Sequence, residues 1–235
     1  MQTLEVPFND FRPFAYIDNT NVKTCRPGAG PVDDGRRREN AHDLQRAFCS
    51  TYIKAHGLKG QCVCIPNGMW ANVWGSSMRH NDKGVLNMSG LTDFLIDWFA
   101  ENNMQLPGGA FPSMYADAIY ENTLVVTRRI EDPANEMEEL LNLRMNACRQ
   151  VIEHLFGDLF QMFDLLNQKK KFRLYRKGKE MYAIVLVCFF IQNCYTCYYG
   201  NKCQTQHSAE KPDIDMYLNI NEELDIVEWD SDEEF

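Results

Sequence analysis

Residues 140–167, LLNLRMNACRQVIEHLFGDLFQMFDLLN, constrain the fold of this chain more than any other stretch. Leu140, Leu141, Met145, Cys148, Val151, Ile152, Leu155, Phe156, Leu159 and Phe163 recur every three or four residues. That is the period of a long helix buried along one side. Asn142, Asn146, Arg149, Gln150 and Glu153 share the opposite, polar stripe. Glu153 stands one turn after Arg149, the spacing of an ordinary surface ion pair. An active-site acid is the other reading, and the rest of the chain has to decide between them.

A helix of this kind needs a core to lie on. With 235 residues, an apolar share of 45% and 14 phenylalanines, the chain is large enough for one substantial domain. Its opening, MQTLEVPFNDF, has neither the basic start nor the apolar run of a secretory signal, so a reducing compartment is expected. Most of the nine cysteines then serve as free, small apolar residues. The net charge of −9 is concentrated at the end: residues 210–235 hold eleven acids and one base, Lys211. The body is therefore near neutral. The acidic stretch from 208 onward lacks helical periodicity and reads as a disordered tail.

Along the chain, FRPFAYID (11–18) reads as a buried strand with Asp18 at its C-terminal end, or equally as an acid opening a turn at Asn19-Thr20-Asn21. Residues 24–46, rich in Gly, Pro and charge, read as a loop. Cys62–Ile65 and Ala71–Trp74 flank Pro66-Asn67-Gly68, a strong hairpin signal. Gly75 to Asn87 reads as a polar loop carrying Arg79, His80 and Asp82. Ser89 then caps a helix that ends near Asn103. MYADAIY (114–120) is a second short apolar run with one acid, Asp117, which is costly to bury unless it is paired or metal-bound. Residues 121–134 read as a connection, with Pro133 or Asn135 opening the long helix.

Two later segments leave choices open. Residues 168–179, QKKKFRLYRKGK, interleave bases with apolar residues and suit either phosphate contact or a solvated loop. Residues 182–199 are apolar, but Gln192 and Asn193 interrupt them, which favours a core helix over a membrane span. Cys194, Cys197, Cys203 and His207 have a spacing that zinc could use, but the first pair sits at the end of that apolar run.

Three acids remain: Asp18 and Asp117 on or beside strands, and Glu153 on a helix. Acidic oxygens brought together from separate elements are what a two-metal phosphoryl-transfer site requires. Spacing alone is a weak signal for it.

The motifs add more. AYIDNTNVKTCRPG, QRAFCSTYIKAHGLKGQCVCIPNGM, GSSMRHNDKGVLNMSGL, MYADAIY and NLRMNACRQVIEHLFGDL follow one another in the order seen in PIF/Harbinger transposases and the nucleases derived from them. The chain resembles that catalytic domain, of the DDE superfamily-4 endonuclease group, over roughly residues 11–200. The resemblance implies a ribonuclease H-like fold, α/β, with a mixed sheet flanked by helices and an acidic disordered C-terminal tail over 208–235. It implies a catalytic triad of Asp18, Asp117 and Glu153, holding two Mg²⁺ or Mn²⁺ ions, with Asp82 as an accessory acid near the metal or Arg79. Asn19 stands where the family usually has glycine, and Asn81 separates His80 from Asp82. Arg149, Lys54, Lys169, Lys170, Lys171, Arg173 and Arg176 are the residues expected to meet the DNA backbone.

The activity implied is metal-dependent phosphodiester hydrolysis or strand transfer on DNA. These transposases carry a helical DNA-binding region before the first catalytic strand, and only about ten residues precede it here. The resemblance therefore points to a truncated gene or to recognition through a Myb-like partner. A nuclear location and no membrane association are expected. A catalytically silent, domesticated scaffold that binds protein or chromatin is the alternative.

Overall fold

The computed structural model describes residues 13–26, 41–106, 108–167 and 178–218, without the side chains of 41–44, 148, 178 and 179. The sheet is built around β1 (Ala15–Thr24), whose β-branched Thr20, Val22 and Thr24 all turn their side chains to one buried face. β1 pairs antiparallel with β3 (Ala55–Cys64), from Tyr16 opposite Cys64 to Thr24 opposite His56. β3 in turn pairs antiparallel with β4 (Trp70–Ser77) through the expected hairpin. Gly68 takes φ 83° in that turn, and the Asn67 side chain accepts a hydrogen bond from the Met69 amide. β2 (Cys49–Ser50) adds a short antiparallel piece beside the start of β3.

On its other edge β1 runs parallel to β5 (Met114–Ala116), and β5 runs parallel to β6 (Val126–Arg128). Three antiparallel strands followed by two parallel to the first form a mixed sheet compatible with a ribonuclease H-like fold. β6 falls inside the expected connection 121–134. Three residues on a sheet edge are too few to show an alternating pattern.

Alternation along the strands splits the interior in two. Ala15, Ile17, Val63, Met114 and Ala116 pack with α2 (Asp82–Ser89) and α3 (Leu91–Glu101). Tyr16, Val22, Cys62, Cys64 and Tyr115 pack with α4 (Glu136–Met162) and α5 (Gly178–Tyr199). Burying one such large side chain contributes about 1.5–3 kcal/mol. The face of α4 that does this is the one its periodicity indicated, with Val151, Ile152, Leu155 and Leu159 fully enclosed. Leu140, at 43% exposed, is not part of it. Asn135 opens α4, its side chain accepting from the Glu138 amide while Glu138 takes the Ala134 amide in return.

Other expectations shift. The polar loop 75–87 contains most of α2, which Asn81 caps through the Gly84 amide. Ser89 ends α2 instead of opening α3, and Gly90 makes the αL turn between the two helices. The loop 24–46 contains the start of α1 (Ala41–Phe48). α6 (Lys202–His207) lies just ahead of the expected tail, and α7 (Ile214–Leu218) forms within it. α7 is started by Asp213, which accepts from the Met216 amide, and is held by Tyr217 against Phe190.

α5 is long and apolar enough to span a membrane by length and composition, with a mean hydropathy of 1.5 over Glu180–Tyr199. Its polar groups nonetheless close onto this domain. Gln192 accepts from the Trp70 indole at 2.7 Å and donates to the Leu155 carbonyl. Asn193 brackets the Trp70 backbone, and the Tyr182 hydroxyl donates to the Val73 carbonyl. Gly75 makes room for the Tyr182 ring, which a Cβ there would strike at 2.3 Å.

Candidate active site

Asp18 does not end its strand. It lies inside β1, which continues to Thr24 because β3 keeps pairing with it. What ends near Asp18 is the parallel side. β1 and β5 are paired at Ala15 with Met114 and at Tyr16 with Tyr115, and β5 stops at Ala116. Asp18 and Asp117 each stand two residues beyond the second of these pairs, so the register sets them level where the parallel pairing, with its ordinary strand spacing of about 4.8 Å, comes to an end. Asp18 shares the α4 face with Tyr16. One oxygen of each aspartate is fixed by the next backbone amide, Asn19 N to Asp18 Oδ1 and Ala118 N to Asp117 Oδ1, both 2.8 Å.

The third acid is joined to Asp18 by an arginine. Arg149 Nη1 donates to Asp18 Oδ2 at 2.9 Å, and its Nη2 donates to Glu153 Oε1 at 3.0 Å. Arg149 and Glu153 are one turn apart on α4, so the surface pair expected for the isolated helix does form. The same guanidinium also reaches across to the sheet, which sequence spacing could not show.

From the other face of the sheet comes a second pair. Lys59, opposite Asn21 on β3, donates to Asp82 Oδ1 at 2.5 Å. The partner of Asp82 is thus Lys59 and not Arg79, which is exposed. A lysine in the middle of GLKGQCVC was the available signal, because a cation inside an apolar strand needs an acid. Two further residues shape the site: Asn19, which the sequence marked only as a departure from the family's glycine, and Arg128, which no motif singled out. Asn19 donates from Nδ2 to the Tyr120 hydroxyl at 2.5 Å. Arg128 donates to the Ala118 carbonyl at 3.0 Å, steadying the turn that follows Asp117.

The charges interact. Burial pushes the Asp18 carboxyl up from 3.8 to about 6, and the neighbouring Asp82 and Asp117 add to that. The Asn19 amide and Arg149 pull the other way without cancelling it. Burial and the same three aspartates raise the Tyr120 phenol, so it stays protonated.

The model of a DDE superfamily endonuclease matches residues 18–193, beginning at Asp18 and passing through Asp117 and Glu153. The chain belongs to this family. No curated protein and no solved structure gives a significant match.

A DDE domain of this kind implies divalent metal, and its donor set fits one. Carboxylate oxygens are the ligands that Mg²⁺ and Mn²⁺ select, and a carboxyl that burial pushes up, with like charges adding to it, is one whose charged form a cation stabilises. Among the described residues, no three Asp, Glu, His or Cys side chains are gathered as a metal-holding group. Asp18 and Asp117 are level, while the Arg149 guanidinium stands between Asp18 and Glu153. The zinc spacing is not assembled either. Cys197 meets Met69 Sδ at 3.8 Å, and His207 stacks on Tyr16.

Of the bases expected to meet DNA, Arg149 is in the site. Lys54 is exposed in the turn before β3. It is eight residues from Cys62, the β3 residue opposite Asp18, which makes roughly 27 Å along the strand. Lys169, Lys170, Lys171, Arg173 and Arg176 lie outside the described residues.

Proposed function

We propose that this DDE domain is a metal-dependent DNA endonuclease of PIF/Harbinger type, derived from a transposase. The observation that carries the reading is the placement of Asp18 in β1 level with Asp117 just past the end of the parallel neighbour β5, with Glu153 tied to Asp18 through Arg149. Folding gains nothing from such a set, since burying the Asp18 carboxylate costs free energy. A catalytic site that must hold cations gives it a purpose.

Asp18, Asp117 and Glu153 are the residues that would hold two Mg²⁺ or Mn²⁺ ions, while Asp82, held by Lys59 on the other face of the sheet, is an accessory acid whose charge is felt at Asp18. Such ions supply Lewis-acid stabilisation of a phosphate and a water nucleophile at neutral pH. The protein's own part is to hold and orient. Amide donors fix one oxygen of each aspartate, and the rigid α4 carries Glu153. Arg149 and the bases at 169–176 position the phosphate backbone, and Lys54 takes the flanking duplex. Contacts of this kind set register without reading sequence. The bond broken is a DNA phosphodiester, and a 3′-hydroxyl in place of water gives strand transfer. Target choice falls to a Myb-like DNA-binding partner in the nucleus, as in the two-protein systems that the motifs resemble.

Nicking of supercoiled DNA by the purified protein with Mg²⁺ or Mn²⁺ tests this, with Glu153→Gln as control. Cleavage that survives the substitution removes the assignment.

A further inference from the structure

We infer that Arg149 is a resident counter-ion, which a divalent ion displaces from Asp18 and Glu153 and which then binds the DNA phosphate. The inference rests on the metal-site reading above and adds an order of events to it.

The geometry is specific. The guanidinium does not use both nitrogens on one carboxylate, the usual forked pair. It spends Nη1 on Asp18 and Nη2 on Glu153, two acids from two different elements. A metal held by Asp18 and Glu153 would need the oxygens the guanidinium now occupies, so the two cations would compete for them. Arginine cannot escape by losing a proton, so it must leave as a cation and find another anion.

Two further observations and one chemical preference make that exchange feasible. Glu153 is 54% exposed, so the bridge has an open end through which an ion can enter without unfolding. Among the described residues the site is also short of positive charge. Asp18, Asp82 and Asp117 act on one another, while the cations bound to them are Arg149 on Asp18 and Lys59 on Asp82. A doubly charged ion compensates three acids better than a single guanidinium does. The ligand left to a freed arginine on a DNA substrate is phosphate, whose oxygens match its planar fork. Metal loading and backbone binding are then linked, and the linkage is reciprocal.

Manganese affinity of the full chain, measured by calorimetry, separates this from a merely supporting role. Removing a competitor tightens binding, whereas removing a support weakens it. Arg149→Gln is expected to bind Mn²⁺ about tenfold tighter than wild type, on the scale of a lost charge-assisted hydrogen bond. Arg149→Lys keeps the charge and is expected to stay within about threefold of wild type. If Arg149→Gln binds equally or more weakly while wild type binds, the counter-ion role is wrong and the metal site stands. If no protein binds Mn²⁺, both readings fall.

Wild-type protein supplies a check that does not depend on the variant folding. In side-chain ¹⁵N spectra, slow rotation of the Arg149 guanidinium is expected without metal and fast rotation with saturating Mg²⁺. A signal that stays slow while aspartate neighbours titrate overturns the displacement. With Ca²⁺ in place of Mg²⁺, wild type is expected to bind a DNA duplex about tenfold tighter than in EDTA, a coupling of ordinary size. Arg149→Gln should gain about threefold or less on that scale; an equal gain overturns the phosphate half of the proposal.

Discussion

Arg149 and Lys59 each neutralise a carboxylate beside β1, Arg149 from the α4 face of the sheet and Lys59 from the α2 face. Lys59 serves one acid, with side-chain exposures of 10% for Lys59 and 24% for Asp82. Arg149 divides itself between two acids, and one of them opens to solvent. A closed pair has no alternative partner, so it fastens α2 to the sheet. A shared, half-open pair has alternatives, and this is what a site needs if its cation is to be exchanged. The same chemical contact thus has a structural role on one face and a functional one on the other.

The sharpest break between the faces is in activity. Asp18→Asn keeps the shape and a hydrogen-bonding oxygen but removes the charge that a metal needs. Metal-dependent nicking is expected to fall about a thousandfold or more, the rate equivalent of about 4 kcal/mol. Initial rates on supercoiled DNA measure it. A fall of less than about tenfold would place the chemistry elsewhere.

The next effect is on stability and belongs to the other face. Lys59→Met leaves the Asp82 carboxylate partly buried without its cation. Breaking such a pair costs about 4 kcal/mol, read as a lower denaturation midpoint at unchanged slope. Adding Asp82→Leu removes the stranded charge and should restore most of the loss. If Lys59→Met alone is neutral, the pair on the α2 face is as dispensable as a surface one and the contrast fails.

How far all this could be read from the sequence follows the same division. The long helix, the hairpin at Asn67-Gly68 and the order of the acids were legible, because periodicity and turn chemistry are local. The level placement of Asp18 and Asp117 was not, since it depends on a parallel register between residues about a hundred apart. Nor was the reach of Arg149 across to β1. From the sequence its partner was Glu153 alone, and only the packing of α4 on the sheet brings Asp18 within 2.9 Å. Asn142 shows the limit most simply. It reads as part of a solvated stripe, yet its side chain is buried and pairs with both backbone groups of Ile130.

A smaller effect comes from pH. The Asp18 carboxyl stands at about 6 in the fold against 3.8 in an open chain. The folded form therefore holds the proton more tightly between those values. The stability this gives is complete below about 3.8 and is lost as pH rises through about 6. The full span is worth about 3 kcal/mol. Metal-free protein in EDTA should lose stability across that window in urea titrations, and Asp18→Asn should flatten the slope there. A slope of opposite sign would mean that Arg149 outweighs burial at Asp18.

The smallest expected effect is the stability change in Glu153→Gln, and it bears most directly on the comparison. Glu153 is 54% exposed and lies four residues after Arg149 on the same helix. Pairs of that kind contribute about 0.3–0.5 kcal/mol and are screened by salt. Arg149 also keeps its bond to the more buried Asp18 when Glu153 is neutralised. Urea denaturation of metal-free Glu153→Gln should therefore match wild type within about 0.5 kcal/mol, and more closely still in 1 M salt. A loss above about 1.5 kcal/mol would make Glu153 part of a closed pair like that of Lys59 and Asp82. The open end of the bridge would then be gone, and with it the route by which a metal replaces Arg149. A small stability change together with lost nicking would instead separate the two roles at one carboxylate. The fold would not need Glu153, and the chemistry would.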